Sequence, residues 1–510
     1  MLDKLKHTFK HSAVYSVSNV LTKAAGIILI PIYTDYFKPE EYGNLGLLII
    51  TITIISQVLA AGQGLALLRY NNDSTYKEEK KKIFFTLTIS LFILVVLFTV
   101  IAELITPFIA KNTSDPAKFI ELFRITIYII SFTVLNILFL NKLRGDERSI
   151  AYSVIGVLKL LLTLVLTIVL IIYFGQNIEA VLYGQLAGEL LNFIIIIPML
   201  IKNMEFKFYV KIIPDSIKFG LPLIFSALAM NLLNGSDRYV LKYLSGAEQL
   251  GLYELAYKFS GIINMFLIMP FSLTLMPVAY KYYKTEGDKR FYSKLMTYLA
   301  FILIWAALLL SLTGKELIEI FSSSPEYYPA YTVVPLINLS YVFFGISMVT
   351  SLGMYLTGNT KAVAYINLIA ALLNIGLNFI LIPKMGMMGA AINTLIAFIF
   401  LVFFTYKISN KYYKIEFEIG KILLILGLSI LIYFIGLPLN NLNIYLSLSL
   451  KVLISLIFPF ILLPFKFYEI NEILTIKKIF NAIINLANNK DKLTETINEL
   501  TIKQNNDKKN

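Results

Sequence analysis

Residues 12–43 read SAVYSVSNVLTKAAGIILIPIYTDYFKPEEYG. The run is long enough to cross a bilayer, and it carries a lysine near its middle. Ser16, Asn19 and Lys23 recur at i, i+3 and i+7, so a helix places them on one face, while Ile27, Ile28, Leu29 and Ile30 continue as lipid-compatible residues. A lysine at mid-membrane depth costs roughly 2.5–3.5 kcal/mol on insertion scales. Lys23 is therefore expected to face protein or water rather than lipid.

The rest of the chain has the same character. Of its 510 residues 57% are hydrophobic and 15% charged, with mean hydropathy +0.73; soluble domains carry about 25% charged residues. No soluble surface can be made from this composition, so the chain reads as an integral membrane protein. Its apolar runs are long and continuous rather than short and alternating, which selects helices over a closed barrel. There is no cysteine, so disulfides and thiolate chemistry are excluded. Both histidines, His7 and His11, lie before the first span, and no metal site is expected. No removable signal peptide is expected either; the first span serves as its own signal. The net charge of +13 does not point to nucleic acid, because the basic residues lie between spans rather than on a globular face.

Fourteen spans are expected, near 12–36, 42–68, 83–107, 119–141, 151–173, 179–201, 219–244, 252–279, 292–313, 330–356, 362–383, 388–408, 419–438 and 444–465. The fourth, which opens with Glu121 and Arg124, and the tenth, which holds Pro335, are the weakest. With the N-terminus cytoplasmic, the inner segments before the tail carry 25 lysines and arginines against five outside. That asymmetry predicts both termini inside. After the last span, residues 468–488 carry apolar positions at Ile470, Ile473, Ile476, Phe480, Ile483 and Ile484, the pattern of an amphipathic helix lying on the membrane. The Asn/Lys-rich end is expected to be disordered.

The chain also repeats itself. KPEEYG (38–43) before the second span matches GAEQLG (246–251) before the eighth, pairing Gly43 with Gly251 at an offset of 208. LRGDERSIAY (143–152) matches LTGNTKAVAY (356–365), and FGQNIEAVLYGQLAG (174–188) matches MGMMGAAINTLIAF (385–398). Spans 1–6 thus correspond to spans 7–12. An even number per half makes the repeats parallel, related by an axis along the membrane normal, with a solute site between them. The expected fold is an all-α integral membrane protein of fourteen transmembrane helices in two pseudo-symmetric six-helix lobes plus two extra helices. The expected divisions are 1–201, a linker at 202–218, 219–408, 409–466 and a cytoplasmic tail at 467–510.

Span 7 repeats the polar stripe of span 1 through Asn231, Asn234, Asp237 and Arg238. These two spans are expected to wall a polar cavity. Asp237 could instead neutralise Arg238, although adjacent helical residues point about 100° apart and pair poorly. Lys159 in span 5 and Lys258 in span 8 are further cations at depth, facing either the cavity or, by snorkelling, the interface. Glu189 and Glu254 are candidates for carrying a proton or sodium ion, or for ion pairs with these lysines; Lys258 follows Glu254 by four residues, the favourable helical spacing. Pro31, Pro270, Pro277 and Pro335 interrupt the helical ladder, as packing kinks or as bends used in motion. Tyr33, Tyr36, Phe37, Tyr280, Tyr282 and Tyr283 at span ends read as interfacial anchors. No phosphate-binding glycine loop, serine elbow or carboxylate pair is present, so neither an ATPase engine nor an enzyme is expected.

The run from Lys23 through Pro31, Thr34, Pro39, Tyr42 and Gly43 resembles the opening of Wzx-type polysaccharide flippases. Gly220 to Pro222, Ser236-Asp237-Arg238, Gly251 and Tyr253 resemble the start of their second lobe. LNFILIPKMGMMGAAINT (377–394) is similar to the most recognisable block of that family. The resemblance covers about residues 10–465 and places the chain in the multidrug/oligosaccharidyl-lipid/polysaccharide exporter superfamily. It implies a transporter that flips an undecaprenyl-diphosphate-linked oligosaccharide across the cytoplasmic membrane, with a cationic cavity for the anionic headgroup; Lys23 and Arg238 best match that role. No cofactor is implied, beyond proton or sodium coupling. The implied partners are the lipid-linked oligosaccharide, the bilayer, and a polysaccharide polymerase and glycosyltransferases. A flippase for another polyprenyl-linked precursor (peptidoglycan lipid or teichoic-type) and a cation-coupled drug antiporter are the competing readings. A membrane-embedded polymerase or ligase would need a large outer loop, and every expected outer loop is short.

Overall fold

The computed structural model describes residues 26–111, 115–175, 177–465 and 467–469. Ser16, Asn19, Lys23 and the expected amphipathic tail helix lie outside these residues. The described chain is all-helical. Eleven of its helices are long and apolar enough to cross a membrane, so this is a multi-pass membrane protein. Both weak spans are among them, as Pro116–Gly145 and Pro325–Leu356.

In order, the helices are α1 (Ile30–Tyr36), α2 (Pro39–Leu59), α3 (Gln63–Asn72), α4 (Lys80–Ala110), α5 (Pro116–Gly145), α6 (Ser149–Phe174), α7 (Ile178–Ile201) and α8 (Ile212–Ser245). They continue as α9 (Ala247–Ile263), α10 (Met269–Tyr282), α11 (Asp288–Phe321), α12 (Val334–Thr350), α13 (Leu352–Leu356), α14 (Thr360–Tyr412), α15 (Ile419–Gly436) and α16 (Ile444–Ile461). Helix α8 begins inside the stretch read as a linker. Pro214 does not prevent this, because in a first turn its missing N–H has no intrahelical partner to lose.

Local chemistry sets several ends. Pro39 opens α2, Glu40 and Glu41 sit in its first turn, and Glu41 accepts the Lys38 N–H at 3.1 Å. Asp115 caps α5 by accepting the Lys118 N–H at 3.0 Å. Gly175, at φ 61°, closes α6. The expected spans 11 and 12 are the two arms of α14, separate helices that meet at a kink at Gly386, whose φ of 55° and ψ of −134° only glycine adopts at ease. Between α9 and α10 the helix loosens into a π turn at Asn264–Ile268, just before Pro270. That proline removes one backbone donor and crowds the preceding turn, and the wider turn absorbs the misfit.

Helices α2 to α7 pack on one another, and so do α8, α9, α11, α12 and α14; α15 and α16 lie against α11. The first group meets the second mainly where α2 crosses α9, with further contact of α2 and α3 on α8. Glycines make the approach close at both ends of α2: Gly43 lies against Ala247 and Gly251, and Gly62 against Gly220, whose Cα is 2.5 Å from where a Gly62 Cβ would stand. Two expected anchors belong to the core instead. Tyr33 and Phe37 are buried and stack at 5.3 Å, because α1 turns its aromatic face onto α2. Tyr36, Tyr280 and Tyr282 are exposed, as anchors would be.

Candidate functional site

The polar stripe of α8 runs into a charged cluster where α2, α8 and α9 meet. Arg238 is buried. Its Nε donates to Glu254 Oε1 at 2.5 Å, and its Nη1 donates to Asn234 O at 2.6 Å and to Asp237 Oδ1 at 3.2 Å. The guanidinium also lies 4.3 Å from the Tyr257 ring centroid, a cation–π contact. Asp237 therefore does bond its neighbour, against the expectation from helical geometry. The arginine stem folds back towards Asn234, one turn earlier, which brings its head across Asp237. The Asp237 carboxylate further accepts the Arg238 backbone N–H at 2.9 Å, Tyr253 Oη at 2.6 Å and Thr394 Oγ1 at 3.3 Å.

Glu254 is bonded to Arg238 on the neighbouring helix and not to Lys258 four residues on. Among the described residues Lys258 Nζ has no hydrogen-bond partner. It stands 3.3 Å from where a Cβ on Gly26 would be, so it points towards the first span. Arg238, Glu254 and Lys258 share a cavity of about 220 Å³ with Tyr33, Tyr42 and Thr53. Lys258 also borders a second cavity of about 340 Å³, beside Tyr257 and Tyr341. In its described part this site is charge-balanced, two carboxylates against two cations. Asn231 donates to Gln57 of α2, and Thr51 of α2 bonds Tyr239 at 2.7 Å; both contacts tie α8 to α2. Asn234 Nδ2 returns to Met230 O at 2.7 Å.

Lys159 and Glu189 are elsewhere. They pair at 2.5 Å between α6 and α7, and Glu189 also accepts from Thr133 at 2.9 Å and Asn136 at 2.6 Å of α5. The lysine does not snorkel, because a buried carboxylate is in reach. Neither residue touches the Arg238 cluster.

Further polar contacts involve Ser236 and the 377–394 block, which the sequence marked only by family resemblance, and Asn374 and Lys451, which it did not mark. Behind Asp237, Ser236 donates to Asn374 at 3.1 Å, and Asn393 donates to Asn378 at 2.6 Å; this buried network ties α8 to both arms of α14. Lys451 of α16 is buried against Glu316 of α11 and Asn440. The rule that flagged Lys159, a charge at membrane depth, applies equally to Lys451 within the fourteenth expected span.

The polysaccharide biosynthesis protein family model matches residues 9–283, and the MatE family model matches residues 222–380. No curated protein matches the chain by sequence. Among solved structures the chain is similar to the lipid II flippase MurJ in an inward closed conformation, with TM-score 0.72 and 19% identity over 88% of this chain and 98% of that one. It is also similar to an inward-facing multidrug resistance MATE family transporter of the MOP superfamily, with TM-score 0.62 and 17% identity over 78% and 96%. A MOP superfamily transporter from Pyrococcus furiosus, described as having reversed binding-pocket polarity, matches with TM-score 0.57 and 17% identity over 79% and 96%. At such identities these likenesses speak for the fold.

Proposed function

Since the chain belongs to the polysaccharide biosynthesis protein family, we propose that it flips an undecaprenyl-diphosphate-linked oligosaccharide from the cytoplasmic to the outer leaflet for surface polysaccharide assembly. The reading takes the protein as a fourteen-helix transporter of the cytoplasmic membrane with both termini inside. Two six-helix lobes, 1–201 and 219–408, joined through 202–218, alternate around the cavity between them; 409–466 adds two helices and 467–510 the tail. The observation that carries it is that Arg238 and Lys258 face one cavity where α2 meets α8 and α9. A diphosphate-sugar headgroup requires cations together with hydroxyl and amide donors, while its lipid tail remains in the bilayer. By their spacing in the sequence alone, Lys23, Ser16 and Asn19, outside the described residues, belong to the same proposal as further charge and donors.

A second reading is favoured by the similarity to the lipid II flippase MurJ: another polyprenyl-linked precursor with the same charged headgroup. A cation-coupled drug antiporter fits less well, because Asp237 and Glu254 are already bonded to Arg238. Coupling to a proton or sodium ion through Asp237, Glu254 or Glu189 belongs to the proposal. So does assembly with a polymerase and glycosyltransferases.

The test is surface glycan in cells whose only copy is Lys23→Ala or Arg238→Ala, with membrane insertion measured in parallel. Each variant is expected to insert and to lose export. Normal export from both would sink the anion-receptor reading.

A further inference from the structure

The cavity's guanidinium is occupied before any substrate arrives, and its two carboxylate partners are held very differently. Asp237 is locked. Its side chain is 1% exposed, and three residues donate to it: Arg238, Tyr253 and Thr394. Glu254 is held by one. Among the described residues its carboxylate accepts only from Arg238 Nε, its side chain is 12% exposed, and it borders the cavity.

Its berth comes from the other half of the molecule. A Cβ on Gly46 of α2 would lie 2.6 Å from Glu254 Cγ and 2.8 Å from Cδ. Glu254 can lie against Arg238 with α2 closed over it only because position 46 has no side chain. The acid, its partner arginine and the missing side chain thus sit at the junction of α2, α8 and α9.

Resting on the flippase reading above, we infer that Glu254 is a displaceable counter-ion. It occupies Arg238 when the cavity is empty, and an incoming diphosphate headgroup evicts it. The headgroup takes the Nε hydrogen bond of Arg238, and Lys258, with no described partner of its own, supplies the second cation. Asp237 keeps its three donor residues and does not exchange. Eviction moves the Glu254 side chain out of the Gly46 notch, so headgroup binding loosens the packing of α2 on α9. With its described charges balanced, the empty cavity stays closed, and anion binding makes closure less favourable. This specifies a positioning role for Glu254 that carrying a transported ion does not require.

The experiment uses the purified full chain in detergent and farnesyl diphosphate as probe, read as Kd for wild type and Glu254→Gln. Glutamine keeps the shape and removes the competing charge, so the variant should bind about tenfold more tightly. Gly46→Ala, which crowds Glu254 out of its berth without changing any charge, should shift Kd in the same direction and carries the test if Glu254→Gln does not fold. If wild type binds the diphosphate and the variants bind equally or more weakly, the counter-ion role falls and the flippase reading stands. If neither wild type nor variants bind it, both fall.

Discussion

Gly43 and Gly251 face each other at the crossing of α2 and α9, each lodged against the backbone of the other's helix four residues upstream. A Cβ on Gly43 would stand 2.2 Å from Ala247 O and 2.7 Å from Gly251 N; one on Gly251 would stand 1.8 Å from Pro39 O. The two contacts are mirror images under the 208-residue offset of the sequence repeat, which relates Pro39 to Ala247 as it relates Gly43 to Gly251. Backbone cannot step aside as a side chain can, so either Gly→Ala change must part the helices. Gly43→Ala and Gly251→Ala are each expected to cost about 1–3 kcal/mol and to reduce export. Gly376→Ala, where a Cβ meets nothing within 4 Å, should do neither. Thermal melts in detergent with export assays check it, and three equal melts would show that the crossing is not tight.

The Lys159–Glu189 pair should respond asymmetrically. Glu189 is 3% exposed and Lys159 32%, and only the long lysine stem can snorkel, so a stranded lysine reaches water more easily than a stranded carboxylate. Lys159→Met should destabilise by about 3 kcal/mol and Glu189→Gln by about 1 kcal/mol. The double variant should recover much of the larger loss. Chemical denaturation of the three proteins gives the cycle, and the reverse order would place the pair in a wetter setting than its burial indicates.

Lys451 docks α16 through Glu316, and the protein carries its own reporter of that docking. Its single tryptophan, Trp305 of α11, donates to Ser455 O of α16 at 2.7 Å. Lys451→Met leaves Glu316 buried without its cation, and the emission of Trp305 should shift to the red as α16 loosens. Arg238→Ala, on α8 rather than on α11 or α16, should leave the emission unchanged. A spectrum unaltered by Lys451→Met would mean that apolar packing alone seats the last helix.

Glu418, at the start of α15, gives a pH dependence outside the membrane. Partial burial pushes its carboxyl up. Bonds from Lys294 at 3.0 Å, Thr297 at 2.8 Å and Lys421 at 3.1 Å outweigh this and hold it below the usual carboxylate range. A depressed folded-state value means the stabilisation is present above the unfolded value and disappears as pH falls through the folded one. Melting temperature should therefore drop as pH falls below about 4. Glu418→Gln should melt lower at neutral pH and show a smaller drop in acid. An equal acid drop in both proteins would assign the effect to other groups.

The sequence by itself determined the class of molecule and where its polar residues sit along each helix. Composition decides lipid against water, and a helical repeat decides which residues share a face; both are local rules. The likeness of residues 38–43 to 246–251 marked the Gly43–Gly251 relationship for the same reason, since a repeat is visible without a fold. Only tertiary structure decided the charge partners. Glu254 had Lys258 at ideal spacing on its own helix and bonded Arg238 across the interface instead, and Lys159 met Glu189 thirty residues on. A desolvated charge takes the nearest opposite charge in space, and helix crossings that no local pattern encodes determine which one that is.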